Sequence, residues 1–531
     1  MKHGLIKTAA LITALFLAYT VLPISFISSE AAAPADRTVP AGYNEHDYDK
    51  CVTFLEQTDP SGEKNGEKLS SDYDPDDPET WGTLGGFYYE ETGEPVEEGQ
   101  PRFEWAPVGG ELRIVSVDVC DHDWSYERVL ASPLDMSGCT ALTKLLCGGN
   151  RLTALDVTGC SSLARLDCKV NNMTSLNVSG LASLEELYCW GCSVRQLDVS
   201  GCTSLRVLRC HENILDTLDV SDCTSLEVLC CGYNGLSELD VSNNTALTSL
   251  ICSYCGLSEL DVSNNTSLTE LCCGSNFLDR LDIANNTSLV ILDCENIGLE
   301  ELRVAGHTSL ELLYCGGNLL SQLDLSGCSA LRTLVCACNM LRELDVSCCS
   351  ELQTLDCSTN PISALDLSAN PLLYSLSCQD TALTALDLSA DPLLHPDLIR
   401  AEGRGNIGCY LNYGQYYSRG FVYAAPQSGA EFLGWYSAAG ELLAETASFE
   451  VTAVGEAELI ARFTPQPCAP GSGDVDASGD VTIADALLIM RASMGLLALT
   501  DEQLAAGNLD GDGEITIADA LLVMRVSMGL L

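Results

Sequence analysis

The sequence predicts a mainly β fold: a solenoid of stacked 21-residue coils with a parallel sheet, then a small β-rich domain and a small helical domain. Three observations predict it. Leucine returns every 21 residues, without insertion, from Leu142 through Leu163 and Leu184 to Leu394. Between anchors the pattern L-x-x-L-x-C-x-x-N-x-L-x-x-L-D-V-S recurs, as at Leu205, Leu208, Cys210, Asn213, Leu215, Leu218, Asp219, Val220 and Ser221. A fixed period of this length means one supersecondary unit stacked on copies of itself. Finally, the segment from Val481 recurs 34 residues later from Ile515, which indicates a duplicated helical unit.

Residues 1–33 read as a signal peptide. Lys2 and Lys7 precede an apolar run from Ala9 to about Ile27, and Ala31, Ala32 and Ala33 precede Pro34. No later run is long and apolar enough to span a membrane, so the mature chain is expected to be exported and to lack a span. Residues 34–133 carry no repeat and are aromatic and acidic, with strand-like alternation through Leu112, Ile114, Val115, Val117 and Val119. They are expected to cap the open end of the solenoid, as stacked arrays require. The competing reading is a catalytic module using Cys51 with His46, or Cys120 with His122, although nothing in the sequence orients a base toward either thiol.

The array begins at Leu134 and fills residues 134–395. Its L-x-x-L-x-[L/C]-x-x-N-x-L spacing is the leucine-rich-repeat signature, with cysteine in the third apolar slot. Counting from each anchor leucine, offsets zero, three and five point inward around a short parallel strand. Strands about 4.8 Å apart would make an arc on the order of 60 Å long. Twelve cysteines, from Cys147 and Cys168 through Cys210 to Cys378, occupy offset five. Stacked at about 4.8 Å they are too far apart for disulfides, which prefer Cβ atoms near 3.8 Å. They are expected to pack as small apolar residues.

The pairs Cys189/Cys192 and Cys252/Cys255 suggest a metal or redox motif. Their second members, however, fall at offset eight, where asparagine and cysteine interchange and the side chain bonds the turn backbone. The aspartate ladder Asp156, Asp198, Asp219, Asp240, Asp261 and Asp282 is similarly read as local turn bonding. Two exposed carboxylates 5 Å apart repel by only roughly 0.8 kcal/mol. Ligand binding is expected on the concave strand face at Tyr188, Trp190, Arg209, His211, Tyr233 and Tyr254, because aromatics and arginine anchor interfaces. The ligand would be a glycan or a surface protein.

The array resembles the cysteine-bearing internalins of secreted bacterial adhesins. The resemblance implies a binding module rather than an enzyme, and the absence of a cell-wall sorting tail argues against direct wall attachment. Residues 396–465 lose the leucine period. Their run from Gly429 to Tyr436, followed by Leu459 to Phe463, resembles the small β-rich repeat that follows internalin arrays. A proline- and glycine-rich linker follows at 466–471.

Each of the duplicated helices at 472–531 is preceded by a calcium-loop pattern. Asp474, Asp476, Ser478, Asp480, Thr482 and Asp485 occupy loop positions 1, 3, 5, 7, 9 and 12, with Gly479 at position 6. Asn508, Asp510, Asp512, Glu514, Thr516 and Asp519 repeat the arrangement, with Gly513 at the turn. Calcium needs six or more oxygens on a sharply turning loop, so two Ca2+ sites are expected. The loop-plus-helix pair, with aspartate at position 12 and no preceding helix, resembles a type I dockerin. That resemblance implies a cohesin partner and assigns the contact to Ile483, Ala484, Arg491, Ile517, Ala518 and Arg525.

The net charge of −49 excludes nucleic acid as a ligand, since a phosphate backbone would be repelled. The expected protein is therefore an exported, monomeric, non-catalytic binding protein, held extracellularly on a scaffold through a calcium-dependent dock. The alternatives are an enzyme centred in 34–133 and a passive spacer or inhibitor rod.

Overall fold

The computed structural model describes residues 39–59, 61–84, 87–88, 95–96, 100–120, 130, 133–389, 394, 398–403, 405–412, 419–427, 430–451, 458–464, 475, 481–493, 497–509 and 515–527. The expected signal peptide lies outside them. The chain divides into two compact units, residues 1–184 with 189–194, and residues 185–188 with 195–531. Among the described residues no helix is long and apolar enough to cross a membrane.

In the first unit, helix α1 (Glu45–Leu55) starts where the Asn44 side chain accepts from the Asp47 amide, at 3.2 Å. Its apolar side buries Tyr48, Cys51, Val52, Phe54 and Leu55, with the Tyr48 and Trp81 rings 5.2 Å apart. A one-turn helix, α2 (Asn65–Leu69), follows. The strands Phe103–Val108 and Glu111–Asp118 form an antiparallel hairpin whose second strand pairs in parallel with Lys144–Leu146. Lys144–Leu146 in turn pairs in parallel with Arg165–Asp167. The hairpin thus closes the exposed backbone edge of the first coil. Buried Asp47 ties α1 to it: its carboxylate accepts from Arg113 Nε at 2.6 Å and Nη2 at 2.9 Å, and from the Ile114 amide at 3.2 Å.

In the second unit, three-residue strands run from Glu186–Tyr188 to Ser375–Ser377, each paired in parallel with the next at a 21-residue shift. Leu208 lies opposite Leu229, and Leu229 opposite Leu250. Within one coil, Leu247, Leu250, Cys252 and Leu257 are all fully buried. Each buried leucine contributes about 1.5–3 kcal/mol of burial free energy, so the repeated core is the main source of stability. The offset-five thiols are buried throughout, as packing predicts. At the last coil the pairing changes sense. Ser375–Ser377 pairs antiparallel with Gly405–Asn412, and Ala385–Asp387 pairs antiparallel with Leu398–Glu402. Strands 419–426 and 448–451 extend one sheet, while 458–463, 432–437 and 442–444 extend the other, around buried Trp435 and Ile460.

Polar side chains stitch consecutive coils together. At offset eight, Asn276 Nδ2 donates to the carbonyls of Cys252 (3.0 Å) and Cys273 (2.8 Å), and its Oδ1 accepts from the Leu257 amide at 3.0 Å. Cys192 and Cys255 occupy the same slot and donate to Cys168 and Cys231 carbonyls, each at 3.2 Å. The C-x-x-C pairs are therefore two repeat slots falling together. A second polar slot, not anticipated from the sequence, lies at offset eighteen. There Asn265 donates to the Val241 and Asn244 carbonyls, Cys328 to the Val304 carbonyl, and a His307 ring nitrogen lies 3.0 Å from that same carbonyl. The aspartate ladder makes the expected local turns, with Asp219, Asp240 and Asp261 each accepting from the amide two residues on at 2.9 Å. Those bonds, from serine hydroxyl and amide, hold the three carboxyls below their ordinary pKa.

Candidate functional site

The concave-face residues are not equivalent. Tyr188 is a correction: its ring is buried, 3% exposed, with Arg209 centred 5.9 Å above it and its hydroxyl 3.2 Å from Glu186. It is a support for Arg209 rather than a ligand contact. Trp190, in the first unit, is partly exposed with the Lys169 ammonium 5.7 Å from its ring centre. His211 is half-buried, its Nδ1 lying 3.2 Å from the Cys230 thiol, and burial lowers its pKa so that the neutral imidazole is favoured.

Tyr233 and Tyr254 are different. Both sit at offset seven, where the coil passes through left-handed backbone with φ of 54° and 57°. That conformation throws the side chain outward, and the 21-residue register then stacks the two rings at 4.6 Å with planes 13° apart. They are 53% and 50% exposed. Sequence reading missed a neighbouring apolar row at offset nine: Ile214, Phe277, Leu319 and Met340 are all exposed, Phe277 by 75%. The available signal was apolar residues at a position that holds glycine in other coils (Gly235, Gly256 and Gly298).

The N-terminal thiols are both buried. Burial pushes Cys51 and Cys120 well above an ordinary thiol pKa, which suppresses the thiolate. His46 Nε2 lies 2.8 Å from the Ser137 carbonyl. His122 lies outside the described residues. His46, Asp47 and Cys139 bring ligand-type atoms within 4.8 Å of one another, but Arg113 already pairs with both Asp47 oxygens.

The C-terminal segment has helices α3 (Ile483–Ser493), α4 (Asp501–Gly507) and α5 (Ile517–Ser527). The two loop ends are closed identically. Buried Asp485 accepts from the Val475 amide on Oδ1 (2.8 Å) and from the Thr482 amide (2.8 Å) and hydroxyl (3.1 Å) on Oδ2. Buried Asp519 does the same to Leu509 (2.9 Å) and Thr516 (2.9 and 3.1 Å). Position 12 thus binds positions 2 and 9 in both halves. Asp474, Asp476, Ser478, Asp480, Asp510, Asp512 and Glu514 lie outside the described residues. The donors in view are hard oxygens on buried carboxylates at position 12, with Asn508 at the start of the second loop, and this chemistry fits calcium.

Residues 472–526 match the type I dockerin domain. The match indicates a cohesin partner. The dockerin core is pseudo-symmetric, Ala486 with Ala520 and Ile489 with Val523, and Val475 completes it. Opposite that core, Ala484, Leu487 and Arg491 are exposed on α3, and Ile517, Leu521 and Arg525 on α5. Spacings of three and four place each set on one helical face. Leu487 (46% exposed) and Leu521 (51%) were not anticipated, and their signal was a leucine at equivalent positions of both repeats. Ile483 and Ala518 belong to these helices, but their side chains are not among the described ones.

No curated protein sequence matches this chain. Among solved structures, it is similar to the functional domain of internalin J from Listeria monocytogenes, which includes a cysteine ladder. Identity there is 26% over 61% of this chain and 91% of that one, with a TM-score of 0.45. It is also similar to an internalin F from Listeria monocytogenes (20%, 53% and 85%, TM-score 0.47). A third is a leucine-rich-repeat protein of Leptospira interrogans (17%, 50% and 90%, TM-score 0.39). The repeat fold itself rests on the strand register described above.

Proposed function

We propose that this chain is an exported, non-catalytic binding protein that attaches to a cohesin-bearing scaffold through its dockerin and presents a ligand-binding rim on its solenoid. The observation that carries the reading is the twofold loop closure by Asp485 and Asp519 beneath two outward helix faces, within the segment that matches the dockerin family. Two calcium ions would be held by Asp474, Asp476, Ser478, Asp480, Thr482 and Asp485, and by Asn508, Asp510, Asp512, Glu514, Thr516 and Asp519. Neutral Ser478 in the first loop and neutral Asn508 in the second leave four carboxylates in each, so the two loops offer calcium the same formal charge.

Ile483, Ala484, Leu487, Arg491, Ile517, Ala518, Leu521 and Arg525 form the cohesin contact, two apolar patches each bordered by arginine. Capture of the full chain on immobilised cohesin modules of several classes tests this. Retention in calcium and release by chelator is expected; no retention on any class, or retention that survives the chelator, refutes it.

On the solenoid, the stacked Tyr233 and Tyr254 rings with Phe277 beyond them form the ligand rim, since exposed rigid aromatics bind at low entropic cost. Arg209 and His211 lie together in the coil just before that of Tyr233. A glycan and surface-protein array should show a ligand whose affinity falls about tenfold in Tyr254→Ala. Unchanged binding in that variant, with loss in Trp190→Ala, would move the ligand to the first unit.

A further inference from the structure

We propose that Cys378, the last rung of the cysteine ladder, forms a disulfide with Cys409 of the β domain, a covalent clasp between the final coil and the domain that covers it. The topology separates this pair from the other rungs. Between coils the strands are parallel, so equivalent cysteines stand side by side at the strand spacing of about 4.8 Å, beyond the Cβ separation a disulfide prefers. At the last coil the pairing becomes antiparallel, with Leu376 opposite Leu411 and Ser377 opposite Tyr410. The same register places Cys378 opposite Cys409, and the Cys378 amide donates to the Cys409 carbonyl at 2.8 Å.

Directly opposed residues of an antiparallel pair have Cα atoms about 4.5–5.5 Å apart, inside the disulfide range of about 4.4–6.8 Å. The two sulfurs already lie 3.4 Å apart, and both residues are fully buried. Bond formation closes that gap to about 2.05 Å.

The bond forms by thiol–disulfide exchange with a small-molecule disulfide. One cysteine thiolate attacks the reagent, releasing one thiolate and leaving a mixed disulfide on the protein. The other cysteine thiolate attacks that mixed disulfide and expels the second. Two electrons pass to the reagent, and the two protons from Cys378 and Cys409 end on its two thiols. The contact with the Cys378 thiol, and then burial, raise the Cys409 pKa and so suppress its thiolate in the closed state. The bond is therefore made before the β domain docks, or during its opening, and once made it is shielded from reductant.

The test uses the full chain and supplies its own oxidant, so it depends on neither export nor the docking reading. The chain is exposed to oxidised glutathione in mild denaturant, refolded, alkylated without reduction, digested and mapped by mass spectrometry. The expected product joins the Cys378 and Cys409 peptides and is lighter by two hydrogens, while ladder thiols such as Cys252 and Cys294 are recovered alkylated. Recovery of Cys378 and Cys409 as separate alkylated peptides overturns the proposal, as does cross-linking of either to another rung instead. As a second readout, reduction should lower the thermal midpoint of the oxidised wild type and leave Cys409→Ala unmoved. The same redox shift in Cys409→Ala also overturns it. Should that variant not fold, the wild-type peptide map decides alone.

Discussion

At the scale of single residues, the solenoid distinguishes side chains by which hydrogen bonds their slot demands. Asn276 uses both ends of its amide, donating to two carbonyls and accepting amides from the preceding coil. Asn265, at offset eighteen, only donates, and its buried Oδ1 has no partner. Asn276→Ala should therefore cost about 2 kcal/mol, and Asn265→Cys less than half of that, by denaturant titration. Offsets five and eight were legible because one or two residue types recur there. Offset eighteen was not, because Cys, Asn and His share only a hydrogen-bonding tip, which residue class does not reveal.

Acidic residues carry a pH signature of two signs. Burial raises the Asp293 pKa, so the native state holds its proton more tightly and this group stabilises the fold as pH falls through the raised value. Asp219, Asp240 and Asp261, with lowered values, lose their contribution as pH falls. Asp293→Asn, which keeps an acceptor for the Glu295 amide, should raise the thermal midpoint at neutral pH, and the gain should vanish near about pH 4. A gain that persists at acid pH would show that the cost at this position is not the buried charge.

At the scale of elements, the ends of the array need the most specific interactions, because a coil inside it gets its partners from repetition. Asp47 is the clearest case: it is fully buried, with Arg113 and the Ile114 amide depending on it. Asp47→Ala leaves both without that partner and should cost about 3 kcal/mol, read as lost hydrogen-exchange protection in α1 and the 103–118 hairpin. The alternation at 112–119 predicted one or two strands, but nothing in the sequence announced that they would pair as a hairpin or that Asp47 would hold it. The exposed rim was hidden for a related reason. Whether an offset-seven residue faces solvent depends on a left-handed turn that residues as different as Val170, Tyr233 and Thr359 all adopt.

At the scale of the whole molecule, two sources of order coexist in one chain. The solenoid is stabilised by leucine burial and backbone-to-amide bonds supplied by its own repeats. The dockerin has a small core of Val475, Ala486, Ile489, Ala520 and Val523 and relies on loops closed around acidic side chains. Both parts were legible because each is a repetition, at 21 and 34 residues, and repetition exposes the slots that chemistry constrains. The central claim is that calcium organises the dock and leaves the solenoid indifferent. Hydrogen–deuterium exchange on the full chain, with calcium and then with chelator, tests it most directly. Calcium should protect amides across 475–527 and leave those of 142–389 unchanged; equal protection of the dock in both conditions, or loss of protection in the coils on chelation, would contradict it.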